Sequence, residues 1–189
     1  MMEKKSNGKT IALIVLGLLT AFGLVVEIIN GIKYSAGSSS GAYFNLVTYC
    51  ATSLLLMYYA VTGYKKPHGN LLKYLFLLFT LCCLGSILSI DVEQSMYDIA
   101  YNYIRGIVVV MTAYVSGRLD RFKQNVILMS IIGVLMLASS ITQILADAEL
   151  GGGFLGLFWC FTFFLLWVDL MFAYILRYKE HKEAGLADK

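Results

Sequence analysis

This sequence has little proline, little histidine and few charged residues. Its 189 residues include one proline, two histidines and 14% charged side chains. The proline, Pro67, falls in a short polar turn, so no long hydrophobic stretch has the proline interruption with which many transporters expose backbone groups to a substrate. The four cysteines have neither zinc-site nor disulfide-framework spacing, and we therefore expect no metal and no cofactor.

Hydrophobic residues, by contrast, make up 59% of the chain and are collected into six long stretches. Each stretch has roughly the 20 residues that an α-helix needs to cross about 30 Å of hydrocarbon. The sequence therefore predicts an all-α integral membrane protein with six transmembrane helices. The stretches are Ile11–Ile32, Tyr43–Gly63, Leu71–Ile90, Tyr97–Gly117, Val126–Ala146 and Phe154–Leu176.

Basic residues predict the orientation of this bundle. All but Lys33 and Arg105 of the 15 lysines and arginines lie in or beside four segments: before the first stretch and after the second, fourth and sixth. By the positive-inside rule, both termini are cytoplasmic, and residues 1–10 and 177–189 form tails on a plasma-membrane bundle of residues 11–176. Short loops predict three antiparallel hairpins. The bases then face membrane lipid, and we expect no nucleic-acid partner.

Ionisable and amide side chains inside the hydrophobic stretches are the candidate functional residues, because such groups are costly in hydrocarbon. At roughly 1.5 Å per residue, Glu27 lies about 8 Å and Arg105 about 3 Å to the outer side of the centre of its stretch. We therefore expect a charge-assisted hydrogen bond between the two. Other polar residues share the outer half, which predicts a pocket open to the outside. Its candidate ligand-binding residues are Glu27, Asn45, Asn102, Arg105 and Gln143.

Asp169 departs from this pattern, because it lies about 6 Å to the inner side of the centre of the sixth stretch. No basic residue of a stretch shares that depth. Asp169 is therefore a candidate proton or ion site, the alternative being an acid satisfied near the inner interface. The serines and threonines of the stretches are expected to hydrogen-bond from helix to helix.

Two functions from different classes fit these features. The first is binding or transport of a small polar or anionic solute, with the Arg105 guanidinium as the anion-recognising group. The second is a non-catalytic membrane subunit or interaction protein, whose polar residues only specify helix packing. A protein partner or a second copy would then use a face of small residues spaced by four, formed by Gly152, Gly156 and Cys160.

An enzyme is not expected. The sequence has no Gly-x-Ser-x-Gly and no His-Glu-x-x-His motif, and its two histidines lie outside the hydrophobic stretches. Catalysis inside a bilayer typically needs a nucleophile beside a base, and the chain offers no such pair at one depth.

Cysteine labelling of intact cells tests the predicted orientation. With the native cysteines removed, a membrane-impermeant reagent should modify Ser38→Cys and Glu149→Cys, because both positions are predicted to lie outside. It should spare Lys66→Cys and Lys123→Cys. Reversed labelling at any two of these positions would contradict the orientation with both termini inside.

Overall fold

The fold is known from a computed structural model, which describes residues 3–34, 40–62, 71–88, 95–119, 121–149 and 154–183. Within these ranges the chain is helical, with no strand. Each of the six helices is long and apolar enough to cross a membrane. Their bounds are α1 Glu3–Tyr34, α2 Ser40–Thr62, α3 Leu71–Leu88, α4 Met96–Ser116, α5 Phe122–Glu149 and α6 Phe154–Glu183.

Three helices extend at one end by four residues or more beyond the hydrophobic stretches that predict them. α1 begins at Glu3 instead of Ile11, α5 begins at Phe122, and α6 continues to Glu183 instead of ending at Leu176. Helical hydrogen bonding is indifferent to whether a side chain is apolar, and Lys and Glu are good helix formers. Hydrophobicity therefore marks the part of a helix that fits in hydrocarbon and underestimates its length.

The helices form a closed ring in which each packs against the next and α6 packs against α1. α6 also contacts α2 and α3, which brings it closest to the centre of the bundle. Aromatic side chains fill the space between α3 and α6. Phe76 meets the rings of Trp167 and Tyr174 edge-on at 6.3 and 6.1 Å, and Phe79 lies 5.4 Å from Trp167. These rings form an apolar core between α3 and α6.

Two substitutions of glycine test the packing of α3 against α2. A Cβ on Gly85 would lie 3.0 Å from the Asn45 Cα, a backbone atom that cannot rotate away. We expect Gly85→Ala to lower the free energy of unfolding by about 1–3 kcal/mol, the usual effect of overpacking. A Cβ on Gly106 meets nothing within 4 Å. The control Gly106→Ala should therefore leave the melting temperature unchanged or raise it, and equal losses in both variants would contradict the α2–α3 contact.

Candidate functional site

Arg105 is the largest side chain that is fully buried, with 0% of its surface exposed. α4 carries it toward α3, α5 and α6. Its Nη1 donates to the Cys83 sulfur at 3.6 Å and to the Met136 sulfur at 3.4 Å. The guanidinium carbon lies 4.4 Å from the centre of the Phe163 ring and 5.0 Å from that of Tyr101. Nε and Nη2 have no hydrogen-bond partner among the residues that the structure describes.

These contacts compensate only part of the cost of burying a guanidinium. Thiol and thioether sulfurs are weak acceptors. Each aromatic ring under a cation contributes about 0.5–2 kcal/mol. The cost of taking an unpaired charge out of water is several kcal/mol larger than that. Arg105 is therefore a buried cation whose remaining donors are available to an acceptor.

A second polar group joins α1 to α6 and consists of two acids and two threonines. The Thr20 hydroxyl lies 3.0 Å from Oδ2 of Asp169, and the Thr162 hydroxyl donates to Oε2 of Glu27 at 3.1 Å. α1 thus contributes one threonine and one acid, and α6 contributes the same pair. In each helix the two residues are seven positions apart, which places them on one face. We call Thr20, Glu27, Thr162 and Asp169 the acid–threonine clasp; each is at most 3% exposed.

Tyr49 of α2 reaches into the clasp. Its hydroxyl donates to the backbone carbonyl of Thr162 at 3.1 Å. A Cβ on Gly23 would lie 3.1 Å from the Tyr49 hydroxyl oxygen, so the absence of a side chain at Gly23 makes room for it. The Tyr49 ring meets Phe163 edge-on at 5.5 Å. Since Phe163 also lies under Arg105, these two rings connect the guanidinium to the clasp.

The predicted Glu27–Arg105 hydrogen bond is wrong. Both residues are buried and described, but the donors of Arg105 meet sulfurs or no partner at all. The reason lies in the order of the helices. Among the described residues α1 packs against α2 and α6, and α4 packs against α3 and α5. Depth along each stretch placed the two charges near one level, but it carried no information about which helices are neighbours.

The other candidate residues fall into two groups. Asn45 is 6% exposed, and its Oδ1 accepts from the Cys82 sulfur at 3.6 Å, so it links α2 to α3. Asn102 and Gln143 are partly buried, and their side-chain oxygens Oδ1 and Oε1 have no hydrogen-bond partner within the described part of the chain. Asn102 lies one turn from Arg105, and Gln143 lies two turns from Met136. Each of them thus shares a helix face with a residue of the Arg105 cluster.

Many hydroxyl groups donate to a carbonyl three or four residues back in their own helix, an option that every helical serine and threonine has. These residues are Thr48, Thr52, Thr80, Ser86, Thr112, Ser139, Ser140 and Thr142. Some of them also join two helices, since Thr80 and Thr112 lie 2.9 Å apart and Ser86 bonds to Tyr101 of α4. The two threonines of the clasp likewise bond across helices.

Sequence reasoning missed Tyr49, Cys83, Met136, Thr162 and Phe163. For Thr162 a signal was present, because the first and sixth stretches both contain a threonine seven residues before an acid. For the others no signal exists, since tyrosine, cysteine, methionine and phenylalanine are ordinary residues of a transmembrane helix. They belong to the site only because of the direction in which α2, α3, α5 and α6 present them.

The side chains of Arg105, Glu27 and Asn45 are all closed to solvent in this structure. A groove of about 500 Å³ runs along the exposed face of α4 and has Asn102 and Gly106 in its lining. Comparison with protein families, with curated proteins and with solved structures finds no match to this chain. Function is therefore argued from the geometry alone.

A double-mutant cycle tests the clasp. Glu27→Leu and Thr162→Val each remove one side of a buried hydrogen bond, so the two losses of stability should not add. The expected interaction energy is about 0.6–1.7 kcal/mol, from the average to the maximum measured for such bonds between transmembrane helices. As a control, Glu27→Leu combined with Thr112→Val should be additive within about 0.3–0.5 kcal/mol, because Thr112 bonds to Thr80 on the other side of the bundle. Additivity in the first cycle would refute the Glu27–Thr162 contact.

Proposed function

We propose that this protein binds a small polar anion at Arg105, inside its six-helix bundle, and transports it across the plasma membrane. The observation that carries the proposal is the free edge of the guanidinium. Nε–H and one N–H of Nη2 lie on the same edge of this planar group, and both lack a partner among the described residues. Two parallel donors match the two oxygens of a carboxylate or phosphate.

The energetics support an anion over a neutral ligand. Hydrogen bonds to a charged group contribute about 1.5–3 kcal/mol each. An anion on the free edge would also neutralise a charge that sulfur atoms and aromatic rings compensate only in part. The rings of Tyr101 and Phe163 both pack against the guanidinium and restrict its rotation. Its free edge therefore keeps one orientation toward a ligand.

The unpartnered amide oxygens narrow the chemical class of the solute. Asn102 Oδ1 and Gln143 Oε1 accept hydrogen bonds and cannot donate them. A bare anion offers nothing to an acceptor. A small molecule with hydroxyl or ammonium groups beside its carboxylate or phosphate would satisfy the guanidinium and the amides together. We therefore favour hydroxy acids, amino acids and sugar phosphates over simple inorganic anions.

The proposal includes an orientation in the membrane, with antiparallel helical hairpins and both termini in the cytoplasm. Packing in antiparallel hairpins is supported by α1 and α2, along which Gly17 approaches Ala60 and Gly31 approaches Leu46, so that residue numbers run in opposite directions. The basic segments favour cytoplasmic termini. Arg105, Asn102 and Gln143 then lie in the outer half of the bundle. The solute would enter from outside, and the closed arrangement of these residues would be an occluded state.

The alternative is a non-catalytic membrane subunit or interaction protein. The burial of Arg105 and Glu27 favours this alternative, because side chains that only specify helix packing need no pocket open to solvent. The small-residue face, in contrast, gains no support as a docking surface. Cys160 is fully buried within one copy of the chain, and Gly152 lies outside the described residues.

Melting-temperature measurements with acetate, glycine and inorganic phosphate test the proposal. Any of these that binds the closed site should stabilise the purified protein, by about 2.7 kcal/mol when its concentration is 100 times its dissociation constant. Arg105→Lys keeps the charge but lacks the two-donor edge, so its stabilisation should fall markedly. Arg118→Gln, which removes an exposed base stacked on Tyr114, is the matched control and should behave like the wild type.

Asn102→Ala and Gln143→Ala separate binding from packing. If these amides contact the solute, affinity falls while the melting temperature without ligand stays nearly constant, since neither oxygen has a partner to lose. Loss of stability with no effect on binding supports the interaction-subunit alternative. Equal stabilisation of Arg105→Lys and wild type would place the anion elsewhere.

A further inference from the structure

The hydrogen bonds around Thr20 constrain where protons lie in the clasp. Its hydroxyl oxygen lies 2.8 Å from the backbone carbonyl oxygen of Leu16 and 3.0 Å from Oδ2 of Asp169. A hydroxyl has one hydrogen to donate and lone pairs that accept. The Leu16 carbonyl can only accept. One hydrogen can be shared between two acceptors, but two separate two-centre hydrogen bonds require that Asp169 donates to Thr20 while Thr20 donates to Leu16. In that arrangement Asp169 is a protonated carboxylic acid.

The alternative, an ionised Asp169 that accepts a hydrogen bond from Thr20, is less favourable. An ionised Asp169 would accept one hydrogen bond, from Thr20, and would be 3% exposed in the middle of a membrane-spanning helix. Within the described residues it has no other hydrogen-bond partner and no ion pair. A carboxylate so placed is almost closed to solvent and has no counter-charge among the described residues, whereas the neutral acid completes a chain from Asp169 through Thr20 to Leu16.

The ionisable groups that face Asp169 do not stabilise its negatively charged, ionised form. Tyr49 approaches from α2, and Glu27 lies on the same face of α1 as Thr20. Either is neutral or negative. The buried base of the described chain is Arg105, whose contacts are with α3, with α5 and with two aromatic rings. Nothing positive therefore stands where the carboxylate would need it.

We propose that Asp169 is a proton-binding site whose proton, donated to Thr20, holds α6 against α1 and is released when these helices separate. The acceptor of the proton belongs to a different helix from the acid that carries it. Movement of α1 away from α6 removes the acceptor and admits water, and both changes favour ionisation. The proton site stands independently of an anion at Arg105, and it gives the protein a means of coupling a conformational change to proton movement.

Infrared spectroscopy of the full-length purified protein tests the proposal directly. The carbonyl stretch of a protonated carboxylic acid lies apart from carboxylate and amide bands. The wild type at neutral pH should show this band, Asp169→Asn should lack it, and Glu27→Gln should keep it. Labelling the aspartate carboxyls with ¹³C should shift the band in the wild type, which requires no variant to fold. A band whose position does not change on labelling, or the absence of the band from the wild type, overturns the proposal.

The pH dependence of melting provides a second readout. The folded protein keeps the Asp169 proton at a pH at which an aspartate of the unfolded chain has lost it, so stability falls as pH rises through this interval. The wild-type melting temperature should therefore fall from the pH at which an unfolded aspartate ionises up to the pH at which the infrared band disappears, and should level off above it. Asp169→Asn retains an N–H that can donate to Thr20 but has no proton to lose, and this fall should be absent from its curve. Parallel curves for the two proteins would show that Asp169 is only a packing residue. None of these measurements uses an anion, so they succeed or fail separately from the test of Arg105.

Discussion

The cost of placing charge in hydrocarbon is the constraint on which the polar half of this bundle depends. Among the described residues, three acidic or basic side chains are buried, Glu27, Arg105 and Asp169. The acids and the base do not neutralise one another through direct contact. α6 lies between them instead and offers a threonine to Glu27, its own Asp169 to Thr20, and the Phe163 ring to Arg105. The position of α6 near the centre of the ring makes this separation possible.

Sequence patterns predicted the positions of the helices far better than they predicted which helices contact one another. Hydrophobic length identified six helices that are long and apolar enough to cross a membrane. Depth along each stretch was used to place Glu27, Arg105 and Asp169, and all three side chains are buried. It failed for the Glu27–Arg105 bond, because one sequence of six similar helices does not state that α1 closes the ring against α6. Partners such as Cys83 and Met136 were out of reach for the same reason.

Threonine shows why the polar contacts could not be derived residue by residue. In any transmembrane helix its hydroxyl has a local acceptor, the carbonyl four residues back, and Thr52 and Thr112 use it. Thr20 uses that carbonyl as well, and yet it also faces an acid of another helix. What distinguishes Thr20 and Thr162 is an acid seven residues later on the same face of each helix. A threonine and an acid at the same seven-residue spacing in two helices therefore indicate a contact between helices better than the chemistry of a single threonine does.

Adjacent residues of α6 serve the two candidate sites, and this adjacency links them. Thr162 holds Glu27, and Phe163 lies under Arg105. A displacement of this turn of α6 alters both contacts, and Tyr49 bonds the same turn through the Thr162 carbonyl. An anion that fixes the guanidinium would therefore bias the position of α6 that the clasp requires. Coupling between two binding equilibria is reciprocal, so a proton on Asp169 would change the affinity for the anion by the same factor as the anion changes the affinity for the proton. The turn of α6 that carries Thr162 and Phe163 is the element through which the two proposed sites would be coupled.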